Sequence, residues 1–280
     1  MRLLPLLLLL SCAGDDEATP SGEIDTSTAS LGECDPGGPR VGWLISSFAI
    51  APVEDGVSEG FDLDDGAEGC GVDDFTSPEG VDGVDNAFGT LLPALALTEA
   101  AAIEPLINES IKAGNLLVTL ELDDLDDPMD DACVTLDVGR GDGVPMVGTD
   151  GEVLWGQTLD RAGAPDFSAE AAVVSGRTET DLELTLPIEI FGLHLDFELQ
   201  GGAIRLEQQD DGTVTGALAG GIEVAYILQV AQEENVDPDL AGILEVLLAG
   251  ASDLAPDANG DCTQISFTLT FETIPVFFFD

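Results

Sequence analysis

Carboxylates are the side chains of this chain best placed to do chemistry, because the usual catalytic groups are scarce. The sequence holds 56 Asp and Glu but a single histidine, His194, a single lysine, Lys112, and a single tyrosine, Tyr226. A nucleophile activated by a neighbouring base therefore has few candidates. Short carboxylates in tight loops can instead converge on a hard cation, and Ca2+ accepts about six to eight oxygen ligands.

One acidic loop has the spacing of a calcium-binding turn. Asp257, Asn259 and Asp261 supply oxygens at alternate positions just before an apolar strand. The segment resembles the opening of an EF-hand, although Cys262 and Thr268 stand where that motif has Gly and Glu. We predict Ca2+ as the cofactor, with these three residues as the leading ligands.

A weaker set of ligands, Asp62, Asp64 and Asp73, lies in the acidic stretch that continues to Asp85. A third acidic cluster, from Asp123 to Asp131, lacks glycine and is expected to be a charged connection between strands. Crowded carboxylates repel one another unless a cation neutralises them. Solvated acidic loops, or adaptation to a saline environment, explain the same composition, and both alternatives stay open.

Motifs of known enzyme classes are missing or out of context. Gly56-Val57-Ser58-Glu59-Gly60 spells a nucleophile elbow but lies in an acidic loop with no helix after it. The chain has no His-Glu-x-x-His helix, phosphate loop or dinucleotide fingerprint. We therefore predict that the protein is not an enzyme. A carboxylate-dependent glycosidase, which needs only two suitably spaced acids, is the least favoured alternative.

Net charge excludes two kinds of partner. The formal charge is −49 at pH 7, and nucleic acids bind surfaces that are rich in Lys and Arg. Electrostatic attraction to anionic lipid headgroups is excluded for the same reason. We expect no nucleic-acid partner.

The first twelve residues predict export. Arg2 precedes the short apolar run Leu3 to Leu10, which is typical of a secretory signal. Leu9-Leu10-Ser11-Cys12 resembles the lipobox of bacterial lipoproteins, and the resemblance implies cleavage before Cys12, lipidation of its thiol, and attachment to the cell envelope, at the outer membrane or cell surface. Ordinary signal cleavage after Ala13 is the alternative.

Composition divides the rest of the chain. Residues 1–11 are the predicted lipoprotein signal peptide, residues 12–38 an acidic flexible tether, and residues 39–280 a single domain. With its lipobox-like start and Asp-rich segments, the chain resembles predicted lipoproteins of unknown function from myxobacteria. That resemblance implies no reaction and no catalytic residues.

Four cysteines remain in the predicted mature domain: Cys34, Cys70, Cys133 and Cys262. In an exported protein an even set predicts two disulfide bonds, with three alternative pairings. Proximity in sequence favours Cys34 with Cys70, which leaves Cys133 with Cys262.

Periodicity predicts an α+β fold. Apolar residues alternate with polar ones in several runs after Gly114, which indicates antiparallel strands with one face towards a core and the other towards water. Helical spacing follows Asp85, a predicted N-cap, and appears again between Pro105 and Gly114, between Ile222 and Gln232, and after Pro238. The expected architecture is an antiparallel sheet, partial barrel or sandwich covered by packed helical pairs.

These observations favour a non-enzymatic, lipid-anchored envelope lipoprotein with a structural or surface-interaction role and calcium-stabilised acidic loops. Its partners would be the membrane, through the lipid anchor, and an envelope or extracellular component. The alternative is a binding module for an apolar small molecule or lipid, because a curved apolar sheet can enclose a ligand cavity.

Overall fold

Alternating apolar runs form long antiparallel strands, as the sequence predicts. The strands are β1 (Val41–Ile50), β2 (Phe75–Thr76), β3 (Asp82–Val84), β4 (Val118–Asp123), β5 (Asp130–Asp142), β6 (Thr158–Arg161), β7 (Phe167–Val174), β8 (Arg177–Ile190), β9 (Leu193–Gln208), β10 (Val214–Glu223), β11 (Leu254–Pro256), β12 (Cys262–Pro275) and β13 (Phe277–Phe278). The helices are a 3-10 turn (Ala87–Leu91), α1 (Leu92–Leu95), α2 (Ile103–Ala113), α3 (Val224–Glu233) and α4 (Pro238–Ala251).

The computed structural model describes Cys34 and residues 38–66, 70–96, 102–190, 193–233 and 238–279. These residues belong to one unit of the chain, Leu31–Asp280. The predicted signal peptide, Cys12 and most of the tether lie outside the described residues. Among the helices of the described part, none has the length and apolar character needed to cross a membrane.

The main sheet closes on itself, and the predicted α+β class is therefore wrong. Eight strands form an antiparallel barrel in the order β1, β12, β10, β9, β8, β7, β5 and β4, and β4 returns to β1. The helices of the described residues are four short segments rather than packed pairs that cover an open sheet. Closure depends on β7, which pairs with β5 and with β8.

Helix α2 lies across an opening of this ring. It contacts β1 and β8, which stand on opposite sides of the barrel, and it buries Ile107 and Ile111 completely or nearly so. The amide of Asn108 donates to the Phe48 carbonyl and accepts from the Phe48 N–H, at 2.9 and 2.8 Å. The helix ends as predicted at Gly114, whose φ of 83° is the left-handed conformation favoured by glycine.

The middle of the outer face of β12 does not meet water, contrary to the sequence-based expectation, whereas Glu272 further along that face is exposed. Ser266 and Thr268 are fully buried there, under the segment that joins β1 to the 3-10 turn. Phe61 of that segment packs on Ala217 and Ala219 of β10. Small side chains on the barrel wall leave room for this second layer.

Two disulfide bonds connect the four cysteines, which confirms the predicted number. The pairing favoured by proximity is wrong, because Cys34 joins Cys133 and Cys70 joins Cys262. The second bond closes 192 residues of sequence and fixes the acidic segment to the start of β12. Sequence proximity fails because the barrel brings the two ends of the domain together in space.

Candidate metal site

The candidate site is built on a tight acidic loop, Asp62–Gly66. Asp65 and Gly66 both have positive φ, 61° and 65°, which turns the chain sharply back. The Asp62 carboxylate accepts a hydrogen bond from the Gly66 N–H at 2.7 Å, and Gly83 lies directly against that carboxylate. A residue with a Cβ at Gly83 would approach Asp62 to 3.3 Å, so this glycine allows the close approach of the two segments.

Asp85, at the end of the same segment between β1 and the 3-10 turn, places its carboxylate beside the loop Asp62–Gly66. Its N–H donates to the Phe61 carbonyl at 2.8 Å, and its carboxylate accepts from the Leu63 N–H at 2.7 Å. The residue is 3% exposed. These two bonds hold a buried carboxylate beside the acidic loop.

Arg205 fixes the segment that leads into the loop. Its guanidinium is buried, forms an ion pair with Glu59 and lies over the Phe61 ring, 5.3 Å from the ring centroid. The site is therefore attached to β9 by a charged contact and to β10 by apolar packing. A rigid support of this kind favours defined ligand geometry.

Asp62, Asp64 and Asp85 bring three carboxylate oxygens within 4.8 Å of one another. Oxygens bound to one Ca2+ at about 2.3–2.6 Å lie at most about 5 Å apart, so this spacing fits a single calcium ion. The Asp64 Oδ1 atom is buried and has no hydrogen-bond partner. A buried acceptor without a donor is costly, and a cation at this position would remove that cost.

Electrostatics at the site also favour a cation. Burial is the largest cause that raises the pKa of Asp85 to about 7; the hydrogen bond from the Leu63 N–H opposes this rise, and the negative charges of Asp64, Asp253 and Asp74 add to it. Burial likewise raises the pKa of Asp253, whose carboxylate accepts hydrogen bonds from the Ser266 N–H and hydroxyl. A cation bound to these carboxylates would offset the free-energy cost of burying their charges and the cost of their mutual repulsion.

The structure joins two of the three weaker predicted ligands and adds one that the prediction missed. Asp62 and Asp64 belong to the cluster, whereas Asp73 is exposed and is not part of it. The predicted role of Asp85 as a helix N-cap is wrong. Instead, Asn86 precedes the 3-10 turn and forms no side-chain cap, and Asp85 faces the acidic loop.

The leading predicted ligands form the turn between β11 and β12. Asp257 Oδ1 accepts hydrogen bonds from the N–H groups of Asn259 and Asp261 at 2.7 and 3.0 Å. Those backbone bonds lower the pKa of the fully exposed Asp257. The Asn259 side-chain amide also donates to Asp257 Oδ2 at 3.1 Å. Asp257 therefore already has partners within its own turn, and calcium binding there stays a prediction.

One surface cleft is large enough to be compared with the two alternative functions, binding of an apolar ligand and glycoside hydrolysis. A cleft of about 710 Å3 is lined by Arg140 and Asp166 on one side and by Glu183 and Glu198 of β8 and β9 on the other. Its walls are mainly polar, whereas sites for apolar ligands are mainly apolar. Binding of an apolar ligand and carboxylate-dependent glycoside hydrolysis both stay predictions.

Comparison of the chain with protein-family models, with curated proteins and with solved structures found no match.

Proposed function

We propose that this protein is a non-enzymatic, lipid-anchored lipoprotein of the cell envelope whose barrel is stabilised by Ca2+. The ion would be held by Asp62, Asp64 and Asp85. The observation that carries the cation assignment is the convergence of these three carboxylates, one of which, Asp64, has a buried oxygen without a hydrogen-bond partner.

The disulfide bonds support the proposed address. Protein disulfides form and persist in oxidising compartments. The Cys34–Cys133 bond fixes the start of the domain, and the Cys70–Cys262 bond fixes the acidic segment between β1 and the 3-10 turn, which we call the acidic layer. Extracellular and periplasmic calcium also suits a site of modest affinity, since extracellular modules bind Ca2+ at roughly 10⁻⁴ to 10⁻³ M.

Calcium would act here as a structural ion. The three ligands come from two segments that are 21 residues apart in sequence, Asp64 and Asp85 being the nearest pair. An ion shared by them would hold the outer layer closed over β12 in the folded protein only. Such an ion stabilises the fold by RT ln(1 + [L]/Kd).

Cell fractionation and melting experiments test the two parts of the proposal separately. Wild-type protein should enter the membrane fraction, and Cys12→Ser should leave it, because the variant lacks the thiol that carries the lipid. Purified protein should melt at a higher temperature in millimolar Ca2+ than in NaCl of equal ionic strength. Membrane retention of Cys12→Ser would refute the anchor, and equal melting temperatures in the two salts would refute the calcium site.

A further inference from the structure

An exposed apolar surface lies beside the point where the tether joins the barrel. Seven large apolar side chains from residues 144–157 and 276–279 are exposed, more than half of the thirteen such side chains in the described part of the chain. We call this surface the aromatic face; its members are Val144, Met146, Val147, Leu154, Trp155, Phe277 and Phe279. Trp155 is 56% exposed, and the two phenylalanines are 65% and 64% exposed.

Backbone hydrogen bonds hold the two segments of the aromatic face together. The Leu154 N–H donates to the Met146 carbonyl at 2.8 Å, and the Phe277 N–H donates to the Gln157 carbonyl at 3.0 Å. The Gln157 side chain connects these pairs, since it accepts from the Met146 N–H and donates to the Leu154 carbonyl, both at 2.8 Å. The apolar residues therefore belong to one supported layer and not to separate loops.

That layer lies on the first residues of β1. The Val276 N–H donates to the Gly42 carbonyl at 3.0 Å, and the Phe278 ring packs so closely on Gly42 that a Cβ there would collide with it. Arg161 of β6 connects the same layer to β4 through paired hydrogen bonds to the buried Glu121, at 2.8 and 2.5 Å. The first residues of β1 therefore lie under this layer, and the chain before them passes Asp124 to Cys34, which is bonded to Cys133 of β5.

The predicted tether between the lipid and the domain is short in sequence. Cys34 is fixed to Cys133 of β5, so 21 residues lie between Cys12 and the first cysteine attached to the barrel. If it has the flexibility that its composition predicts, a tether of that length would have an end-to-end distance of about 25 Å. Anchoring would therefore keep the barrel close to the bilayer, and even a weak contact with the bilayer becomes effective when a tether makes it intramolecular.

Charge distinguishes a bilayer from a second copy of the chain as the occupant. The two segments contain two acids in 18 residues, Asp150 and Glu152, with Asp280 directly after them, compared with 56 in 280 for the whole chain. A second copy would bring another charge of −49 against the first, whereas a zwitterionic bilayer carries no net charge. Trp and other aromatic side chains prefer the bilayer interface, where an apolar ring and polar headgroups meet.

We infer that the aromatic face docks on the interfacial region of the zwitterionic bilayer to which the protein is anchored. The inference rests on the proposed lipid anchor and adds the orientation of the barrel on the membrane. The apolar side chains of the aromatic face would enter the headgroup region of the bilayer. The acidic layer, which contains Asp62, Asp64 and Asp85, packs on a different part of the barrel wall, formed by β9, β10 and β12.

Trp155 provides the test, because the other tryptophan, Trp43, is 4% exposed and shielded from lipid. The lipidated full-length mature protein is incorporated into phosphatidylcholine vesicles whose acyl chains carry bromine, a quencher of tryptophan fluorescence. We expect quenching in the wild type and loss of that quenched component in Trp155→Phe. The double variant Phe277→Asp with Phe279→Asp should float with the vesicles, keep its circular dichroism spectrum and lose the quenching.

The matched control is Ile243→Asp with Val246→Asp, which places the same charges on exposed apolar positions of α4, 54% and 73% exposed. This control should be quenched like the wild type. Floating protein whose Trp155 is not quenched would overturn the orientation and leave the anchor intact, whereas protein that does not float would refute the anchor itself. Shielding of Trp155 without vesicles, together with a doubled mass in solution, would also overturn the inference, because a second copy would then cover the face.

Discussion

Replacing Asp85 by Asn should stabilise the protein without calcium and remove most of the stabilisation that calcium gives. Asparagine retains an oxygen that can accept from the Leu63 N–H, and its amide can donate to the partnerless Asp64 oxygen. The replacement removes one charge from three carboxylates within 4.8 Å. At that distance two unit charges repel by about 0.9 kcal/mol in bulk water and about 3.5 kcal/mol at an effective dielectric constant of 20.

Without metal, Asp85→Asn should therefore be more stable than the wild type by about 1 to 3 kcal/mol at pH 8. The melting temperature should rise by roughly 2 to 10 °C for a domain of this size. In Ca2+ this advantage shrinks by about 1.4 to 2.7 kcal/mol at 10 to 100 times the dissociation constant, because the wild type gains that stabilisation and the variant gains little.

Thermal melting at pH 8, in EDTA with NaCl and in Ca2+ at the same ionic strength, measures both effects. Asp257→Asn is the matched control, since it makes the same chemical change in the turn between β11 and β12 and keeps an acceptor for the backbone of that turn. If Asp85→Asn destabilises the protein in EDTA and retains the full calcium response, the three-aspartate site is wrong. If Asp257→Asn alone loses the response, the ion binds at the turn.

Three further predictions follow from buried groups and covalent connections. In EDTA, the melting temperature should fall between pH 5 and pH 7.5, and Asp85→Asn should reduce this slope. The pKa of Asp85 is about 7 in the folded protein and 3.8 as its ordinary value. The stability that the protonated carboxyl contributes is therefore fully present below pH 3.8 and is lost as the pH rises through 7. Ile111→Ala should lower the free energy of unfolding in urea by about 2 to 5 kcal/mol, because it empties a fully buried position where α2 crosses the barrel. Peptide mapping without reduction should recover a peptide that joins Cys70 to Cys262, and a peptide that joins Cys34 to Cys70 would contradict the fold.

Local signals in the sequence predict many elements but not the closure of the sheet. Alternation identifies β12 from Ile265, Phe267 and Leu269, all of which are buried, and Gly114 marks the end of α2. The closing strand β7 has a weak pattern because small side chains such as Ala169 and Ala171 occupy its alternate positions. The barrel closes only if β7 pairs with both β5 and β8, and nothing in the local sequence of residues 167–174 indicates that these strands are its partners.

The candidate site was only half predictable for a similar reason. Asp62 and Asp64 lie in a short loop, so their spacing alone suggests a shared ligand. Asp85 joins them through a backbone pairing with Phe61 across 24 residues, and Phe61 in turn packs on the barrel wall at Ala217 and Ala219. An aspartate before an apolar helical pattern has the same local sequence as an N-cap, and tertiary contacts decide between the two roles.

Equilibrium dialysis with radioactive Ca2+ in 150 mM NaCl tests the central claim most directly, because it counts bound ions and does not depend on stability. We predict one saturable Ca2+ per chain in the wild type and in Asp257→Asn, and loss of that ion in Asp64→Asn, which removes the charge beside the buried oxygen. Saturable binding of one Ca2+ that is unchanged in Asp64→Asn, or no saturable binding to the wild type at millimolar Ca2+, would contradict the account.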